Sequence, residues 1–132
     1  MVLGPDTRSR VVLGLYISCF GAGAYNHARD FLTYGLRPYN WGPPLLEVFW
    51  TSLILLDLLA IATLLSRFKR LGLGLAAAIM ISDVTANTYA LVVLNMPAFG
   101  LAVLLQATFL GFVLGSLPFV WHREMPAQHY RQ

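Results

Sequence analysis

The sequence predicts an all-α fold, a bundle of four transmembrane helices in antiparallel up-down-up-down order. Three observations predict it. First, 58% of the 132 residues are hydrophobic and 11% are charged, against roughly 25% charged in an average soluble domain. Too few charges remain to cover a soluble globule of this length. Second, four windows are long enough to cross a bilayer, which takes about 20 mainly apolar residues: 11–28, 45–66, 71–94 and 98–121. Third, the basic residues gather where one side of such a bundle would lie. The same numbers exclude other classes. The net charge of +3 is too small, and the chain too apolar, for disorder. The single cysteine, Cys19, excludes a disulfide scaffold. The whole of 1–132 reads as one transmembrane domain.

The first span follows Arg8 and Arg10. Arg8, Arg10, the apolar run Val11–Phe20 and Ala22-Gly23-Ala24 also fit a signal peptide with a small-residue cleavage site. The retained first helix is the reading adopted. An outer loop, 29–44, follows, with Pro38, Gly42, Pro43 and Pro44 as breakers. The cytoplasmic loop 67–70, with Arg67, Lys69 and Arg70, separates the second and third spans. Asn95-Met96-Pro97 forms a hairpin-length link to the fourth. Arg123 and Arg131 follow that span, so the positive-inside rule puts both termini in the cytoplasm, with the cell inner membrane the expected location. Trp41, Trp50, Trp121, Tyr34 and Tyr39 fall near span ends, as interfacial aromatics do. Pro118 is expected to kink or end the fourth helix.

Helices in lipid pack through small residues. Gly74, Ala78, Ser82, Ala86 and Ala90 form a stripe at four-residue spacing. Gly14, Ser18 and Ala22 on the first span, and Ala107, Gly111 and Gly115 on the fourth, form similar faces. They read as helix contacts, in a monomeric bundle or a dimer.

Carboxylates carry the functional signal. Asp57 and Asp83 lie deep in apolar windows, where a charge costs roughly 2.5–3.5 kcal/mol on insertion scales. Each is twelve residues from its span edge, at Leu45 and Leu71; at 1.5 Å per residue both lie about 18 Å deep, near the midplane. Asn87 follows Asp83 by one turn on the same face, and Gln106 sits at a similar level. Glu47 and Thr51 share a face near the outer surface. Asn26, His27 and Asp30 close the outer end of the first span. The set reads as a polar pocket opening outward. No Lys or Arg lies within the spans to pair with Asp57 or Asp83. Two such carboxyls would titrate as a pair, and a protonated one would donate a hydrogen bond to Asn87 or to a ligand. Such chemistry suits proton transfer, cation binding, or anchoring an amine or hydroxyl.

Plainer roles exist for several of these residues. Gln106 and Asn87 serve equally as interhelical glue. Glu47 suits a helix amino end. His27 and Asp30 could pair with Arg29, Arg37 or water, and Cys19 reads as a small core hydrophobe. His122 and His129 lie across the membrane from His27, which speaks against a metal or haem site. No cofactor is expected. The basic loops suit lipid headgroups and not nucleic acid.

The layout resembles the EXPERA type, the emopamil-binding and sigma-2 receptor proteins. Leu13-Gly14-Leu15-Tyr16 after a basic flank, the early carboxylates Glu47 and Asp57, and the third-span pair Asp83 and Asn87 carry the likeness. It covers the whole chain in layout. The first loop is shorter here and the third span lacks a histidine. The resemblance implies a membrane pocket that binds or isomerises sterol-like amphiphiles, with acids protonating the substrate. The chain is also similar to small four-span bacterial membrane proteins of unknown function, through Asn26-His27-Ala28-Arg29-Asp30-Phe31-Leu32 and Asp83. That likeness implies no activity.

The leading expectation is a pocket for a small apolar or amphipathic ligand. Asp83, Asn87, Asp57, Glu47, Thr51, Gln106, His27 and Asp30 would hold its polar group, and Trp50, Tyr89 and Phe109 its body. As an enzyme, it would run an acid-catalysed isomerisation with Asp83 or Asp57 as proton donor. Two alternatives stay open: a proton-coupled small transporter acting as a dimer, and a non-catalytic subunit of a larger membrane complex.

Overall fold

The computed structural model describes residues 4–124; Arg131 and His129 lie outside them. Four helices account for most of that length: α1 (Pro5–Tyr34), α2 (Pro44–Leu65), α3 (Lys69–Val92) and α4 (Gly100–Arg123). A short 3-10 turn, Pro97–Phe99, precedes α4. No strand occurs among the described residues.

Each boundary has a local cause. Pro5 and Pro44 open α1 and α2, where a missing N–H is harmless and a fixed φ is an advantage. Asp6 and Glu47 sit in those first turns, favourable to the helix dipole. α1 stops at Gly35, whose φ of 83° suits a residue without Cβ. The α3–α4 link turns at Asn95, with φ of 52°, a position asparagine tolerates. The apolar windows of α2, α3 and α4 match the observed helices to within two residues. α1 extends six residues beyond its window at each end. α4 runs through Pro118 to Arg123, so the proline does not end it.

Three segments are long and apolar enough to cross a bilayer: Pro44–Leu65, Lys69–Val92 and Pro97–Arg123. They mark an integral membrane protein. α1 falls short of this standard despite its length, because Asn26, His27, Arg29 and Asp30 make its last third polar.

The helices pack in a ring, α1 on α2, α2 on α3, α3 on α4, and α4 more sparsely back on α1. Tyr16, Leu53, Leu64, Leu73, Val113 and Val120 form its most deeply buried core. The α1–α4 seam is closed near Tyr16. Its hydroxyl donates to the Val113 carbonyl at 2.9 Å and lies 2.9 Å from Ser116 Oγ. Phe109 and Phe112 meet the Tyr16 ring edge-on, and Phe20 meets Phe109. One end of the bundle is basic: Arg123 pairs with Asp6 at 3.6 Å and Lys69 with Glu124 at 3.8 Å. The other end is aromatic, where Trp41 and Phe99 both pack on Trp50.

Most of the small-residue faces lie outside the contacts of this single chain. Ala86 and Ala90 are buried, but Gly74, Ala78 and Ser82 are exposed. Gly14, Ser18, Ala22, Ala107, Gly111 and Gly115 are exposed too. The close contact is instead made by Gly72. A Cβ there would lie 2.8 Å from the Leu64 backbone nitrogen and 2.8 Å from Thr63 Oγ1. Only glycine lets α3 approach the end of α2 this closely.

Gly72→Ala should therefore destabilise the protein by about 1–3 kcal/mol, the usual range for overpacking against atoms that cannot yield. Gly14→Ala and Gly111→Ala should be near neutral, since nothing lies within 4 Å of the added methyl. Thermal unfolding of the three variants in one detergent checks this; equal melting temperatures would contradict the packing.

Candidate functional site

α2 and α3 bring the buried polar residues together. Asp57 is 5% exposed, Asp83 7% and Asn87 4%. On α3, Asp83 and Asn87 are one turn apart and face the same way. Gln106 reaches them from α4.

The hydrogen bonds form a closed set. Trp50 Nε1–H donates to Asn87 Oδ1 at 2.8 Å. Asn87 Nδ2 donates to Asp83 Oδ1 at 3.1 Å and to Gln106 Oε1 at 2.7 Å. Gln106 Nε2 donates to Asp83 Oδ2 at 2.7 Å. An indole N–H can only donate. It therefore fixes which end of the Asn87 amide faces Trp50, and so directs the Asn87 N–H groups at Asp83 and Gln106. The Gln106 amide is oriented in turn. Asp83 receives two donors, one on each oxygen. This corrects one expectation: the acid does not donate to Asn87, Asn87 donates to it.

Asp57 is the opposite case. It has no hydrogen-bond partner or ion pair among the described residues, although it is almost fully buried. Its carboxyl fits against α1 because Gly23 lacks a side chain; a Cβ there would lie 2.6 Å from Asp57 Oδ2.

Both carboxyls line a cavity of about 750 Å³, within the roughly 300–1,000 Å³ typical of small-molecule sites. α1 contributes Cys19, Phe20, Ala22, Gly23, Asn26, His27 and Asp30; α4 contributes Leu101, Ala102, Leu105, Gln106 and Phe109. Trp50 and Asp57 of α2, with Ile79, Met80, Asp83 and Asn87 of α3, complete it together with Tyr39 and Phe99. Every lining residue from α2 and α3 is buried. The exposed ones are Cys19, Ala22 and Asn26 on α1 and Leu101 and Leu105 on α4. The back wall is thus α2 and α3, and the opening runs along the α1–α4 seam, on the side of the bundle. Cys19 stands at this edge, not in the core.

At the aromatic end the loop folds over the cavity. Tyr39 donates to Asp30 Oδ2 at 2.6 Å, and its oxygen lies 2.8 Å from His27 Nδ1. With the phenol proton committed to Asp30, His27 Nδ1–H is the donor to Tyr39. Burial first, then the Asp30 carboxylate, holds the Tyr39 phenol above its usual pKa range, which keeps it a donor. Gly42 lets the loop lie against the Trp50 ring, 3.0 Å from where its Cβ would be. Trp41 covers Trp50 from the other side, ring centroids 5.4 Å apart. Arg37 clamps the loop to α2 with two bonds to Glu47, at 2.7 and 2.8 Å.

Of the expected site residues, Asp57, Asp83, Asn87, Gln106, His27, Asp30, Trp50 and Phe109 meet in one cavity. Glu47, Thr51 and Tyr89 do not line it. Glu47 is engaged by Arg37 at the rim. Thr51 is half-buried outside it. Tyr89 is 45% exposed on the far face of α3. Gly23, Tyr39 and Phe99 line the cavity without having been expected to; in the sequence Tyr39 reads as an interfacial aromatic and Gly23 as part of a small-residue run.

Compared with known proteins, the chain matches no family model, no curated protein and no solved structure.

Trp50→Phe removes the donor that orients the network and should destabilise the protein by about 1 kcal/mol, in the range of hydrogen bonds between membrane helices. A double-mutant cycle with Asn87→Leu, followed by unfolding in detergent, checks it. Strictly additive effects would show that the two side chains are not coupled.

Proposed function

We propose that this protein binds a small amphipathic ligand in the cavity between α1 and α4, with Asp57 as the anchor for the ligand's polar head. One observation carries the reading: Asp57 is a buried carboxyl, unpartnered among the described residues, facing a cavity large enough for a ligand. An intramembrane carboxyl in such a position is a functional group by default. Asp83 serves differently. Its oxygens are held by Asn87 and Gln106, so it sets the negative character of the wall while Asp57 remains free to bind.

The cavity lining includes Asp30, Asp57 and Asp83 but no Lys or Arg. A head that donates hydrogen bonds, an amine or a hydroxyl, is favoured over an acid. Phe20, Phe99, Phe109, Ile79 and Met80 offer the body an apolar surface. In this reading α1 is the fourth span of an antiparallel up-down-up-down bundle, both termini are cytoplasmic, and the membrane is the cell inner membrane. The side opening then faces lipid. If the ligand is an alkene, a protonated Asp57 would give a proton to one carbon of the double bond and the carboxylate left behind would take one from the carbon beside the resulting cation, the acid-catalysed isomerisation that the EXPERA resemblance implies.

A second reading rests on the outward-facing small residues Ala107, Gly111 and Gly115 of α4. They suit a helix of another chain, in a dimeric proton-coupled transporter or as a non-catalytic subunit of a larger complex.

Single-chain probes with one tail and three heads test the main reading: dodecylamine, dodecanol and dodecanoate, added to the protein in lipid nanodiscs. The amine or alcohol should raise the melting temperature, dodecanoate should not, and Asp57→Asn should remove the amine effect while folding normally. Gly23→Ala, whose methyl would fall on the Asp57 carboxyl, should act in the same direction. Equal responses to all three heads, or an unchanged response in Asp57→Asn, would overturn the assignment.

A further inference from the structure

At the basic end, remote from the cavity, the surface of α3 beside α4 holds a groove of about 390 Å³ lined by Arg70, Leu71, Gly74, Leu75, Ala78 and Trp121. Arg70 stands at its head, its guanidinium 4.5 Å from the centre of the Trp121 ring. Arg70 Nε is buried without a hydrogen-bond partner among the described residues. Of the neighbouring cations, Lys69 faces Glu124 and Arg123 faces Asp6, while the exposed Arg67 lies over the Phe68 ring much as Arg70 lies over Trp121. Arg70 has no such anion among the described residues. The half-buried guanidinium is left to take a negative partner from outside the chain.

Below Arg70 the groove is apolar. Arg70, Gly74 and Ala78 follow each other at one-turn spacing, so the groove runs about 12 Å along the helix. Its floor is low because Gly74 has no side chain, and open space lies where its Cβ would be, with nothing within 4 Å. α3 and α4 are two of the segments apolar enough to span the bilayer, so this groove lies at the depth where a lipid headgroup gives way to its chains.

The geometry points to a binding site for an anionic phospholipid, with its phosphate on Arg70 and one acyl chain along Gly74 and Ala78 beside Trp121. Basic pockets between membrane helices take lipid headgroups in this way. Arginine suits phosphate through its planar fork of donors, and the stacked Trp121 ring keeps that fork in place. A free phosphate ion would use Arg70 alone and leave the apolar trench empty; a phospholipid uses both. The site is independent of the ligand cavity and of Asp57.

Trp121 reports on its own neighbourhood. The full-length protein is placed in phosphatidylcholine nanodiscs with rising fractions of brominated phosphatidylglycerol or brominated phosphatidylcholine. Quenching of Trp121 is obtained by difference from Trp121→Phe. Phosphatidylglycerol should reach half-quenching at about a fivefold lower fraction than phosphatidylcholine. Arg70→Gln should abolish that preference, and Lys69→Gln should keep it. Gly74→Leu, whose Cβ meets no atom within 4 Å and whose branches occupy the groove, should also weaken it, and serves if Arg70→Gln does not fold. Equal quenching by the two lipids, or a preference that survives both Arg70→Gln and Gly74→Leu, would overturn the site. Loss of the preference on adding inorganic phosphate would identify a free-anion site and also overturn the phospholipid assignment.

Discussion

The indole N–H of Trp50 has only one thing it can do, and the polarity of the buried network follows from it. Because that group donates, Asn87 must present its carbonyl to Trp50 and its N–H groups to Asp83 and Gln106. Gln106 is then bound to donate to Asp83. Three helices and one acid are joined without any basic residue. In hydrocarbon no water stands by to repair an unmade bond, so a network of this kind has to be complete. It is complete at Asp83 and has no counterpart at Asp57. The contrast between two carboxyls in one cavity, one held by its neighbours and one left over, is what the proposed ligand anchor at Asp57 rests on.

The cavity follows from uneven packing of the ring. α1 and α4 meet firmly where Tyr16 reaches the Val113 carbonyl, and part beyond Phe20 and Phe109. Asp83, Asn87 and Gln106 satisfy one another without help from across the parted seam, which leaves Asp57 as the unpartnered carboxyl facing it. The far end is covered by the loop carrying Tyr39 and Trp41, tied down to α1 by Asp30 and to α2 by Glu47. What the loop closes at the end, the seam leaves open at the side. A molecule already in the bilayer would reach Asp57 by that route.

Much of this was legible in the sequence. The extents of α2, α3 and α4 were set by Pro43-Pro44, Arg67 to Arg70 and Asn95 to Pro97, which bracket apolar runs of the right length. The approach of Asp57, Asp83, Asn87 and Gln106 followed from counting residues along the spans, while His27 and Asp30, expected at the outer end of the first, line the same cavity. Helix rotation was not legible. In lipid both faces of a helix can be apolar, so no amphipathic pattern tells inside from outside. Tyr89 was accordingly misplaced to the interior, the faces carrying Gly111 and Gly115 could not be assigned to the bundle or to a second chain, and Gly72, off the obvious stripe, makes the close backbone approach between α2 and α3. The role of Gly23 was hidden for a related reason: it depends on what stands opposite, and spacing along α1 says nothing of α2. The polar final third of α1 was visible, but its consequence, a helix less apolar than the other three, was not drawn from it.

A structure of the protein at high resolution, extracted together with its native lipid, examines the proposal at the atom on which it rests. The account predicts non-protein density in the cavity between α1 and α4, reaching the Asp57 carboxyl, with Asp83 still bonded to Asn87 and Gln106. A closed, dry seam with Asp57 bonded to another helix or to another chain would contradict it, and would make both carboxyls structural.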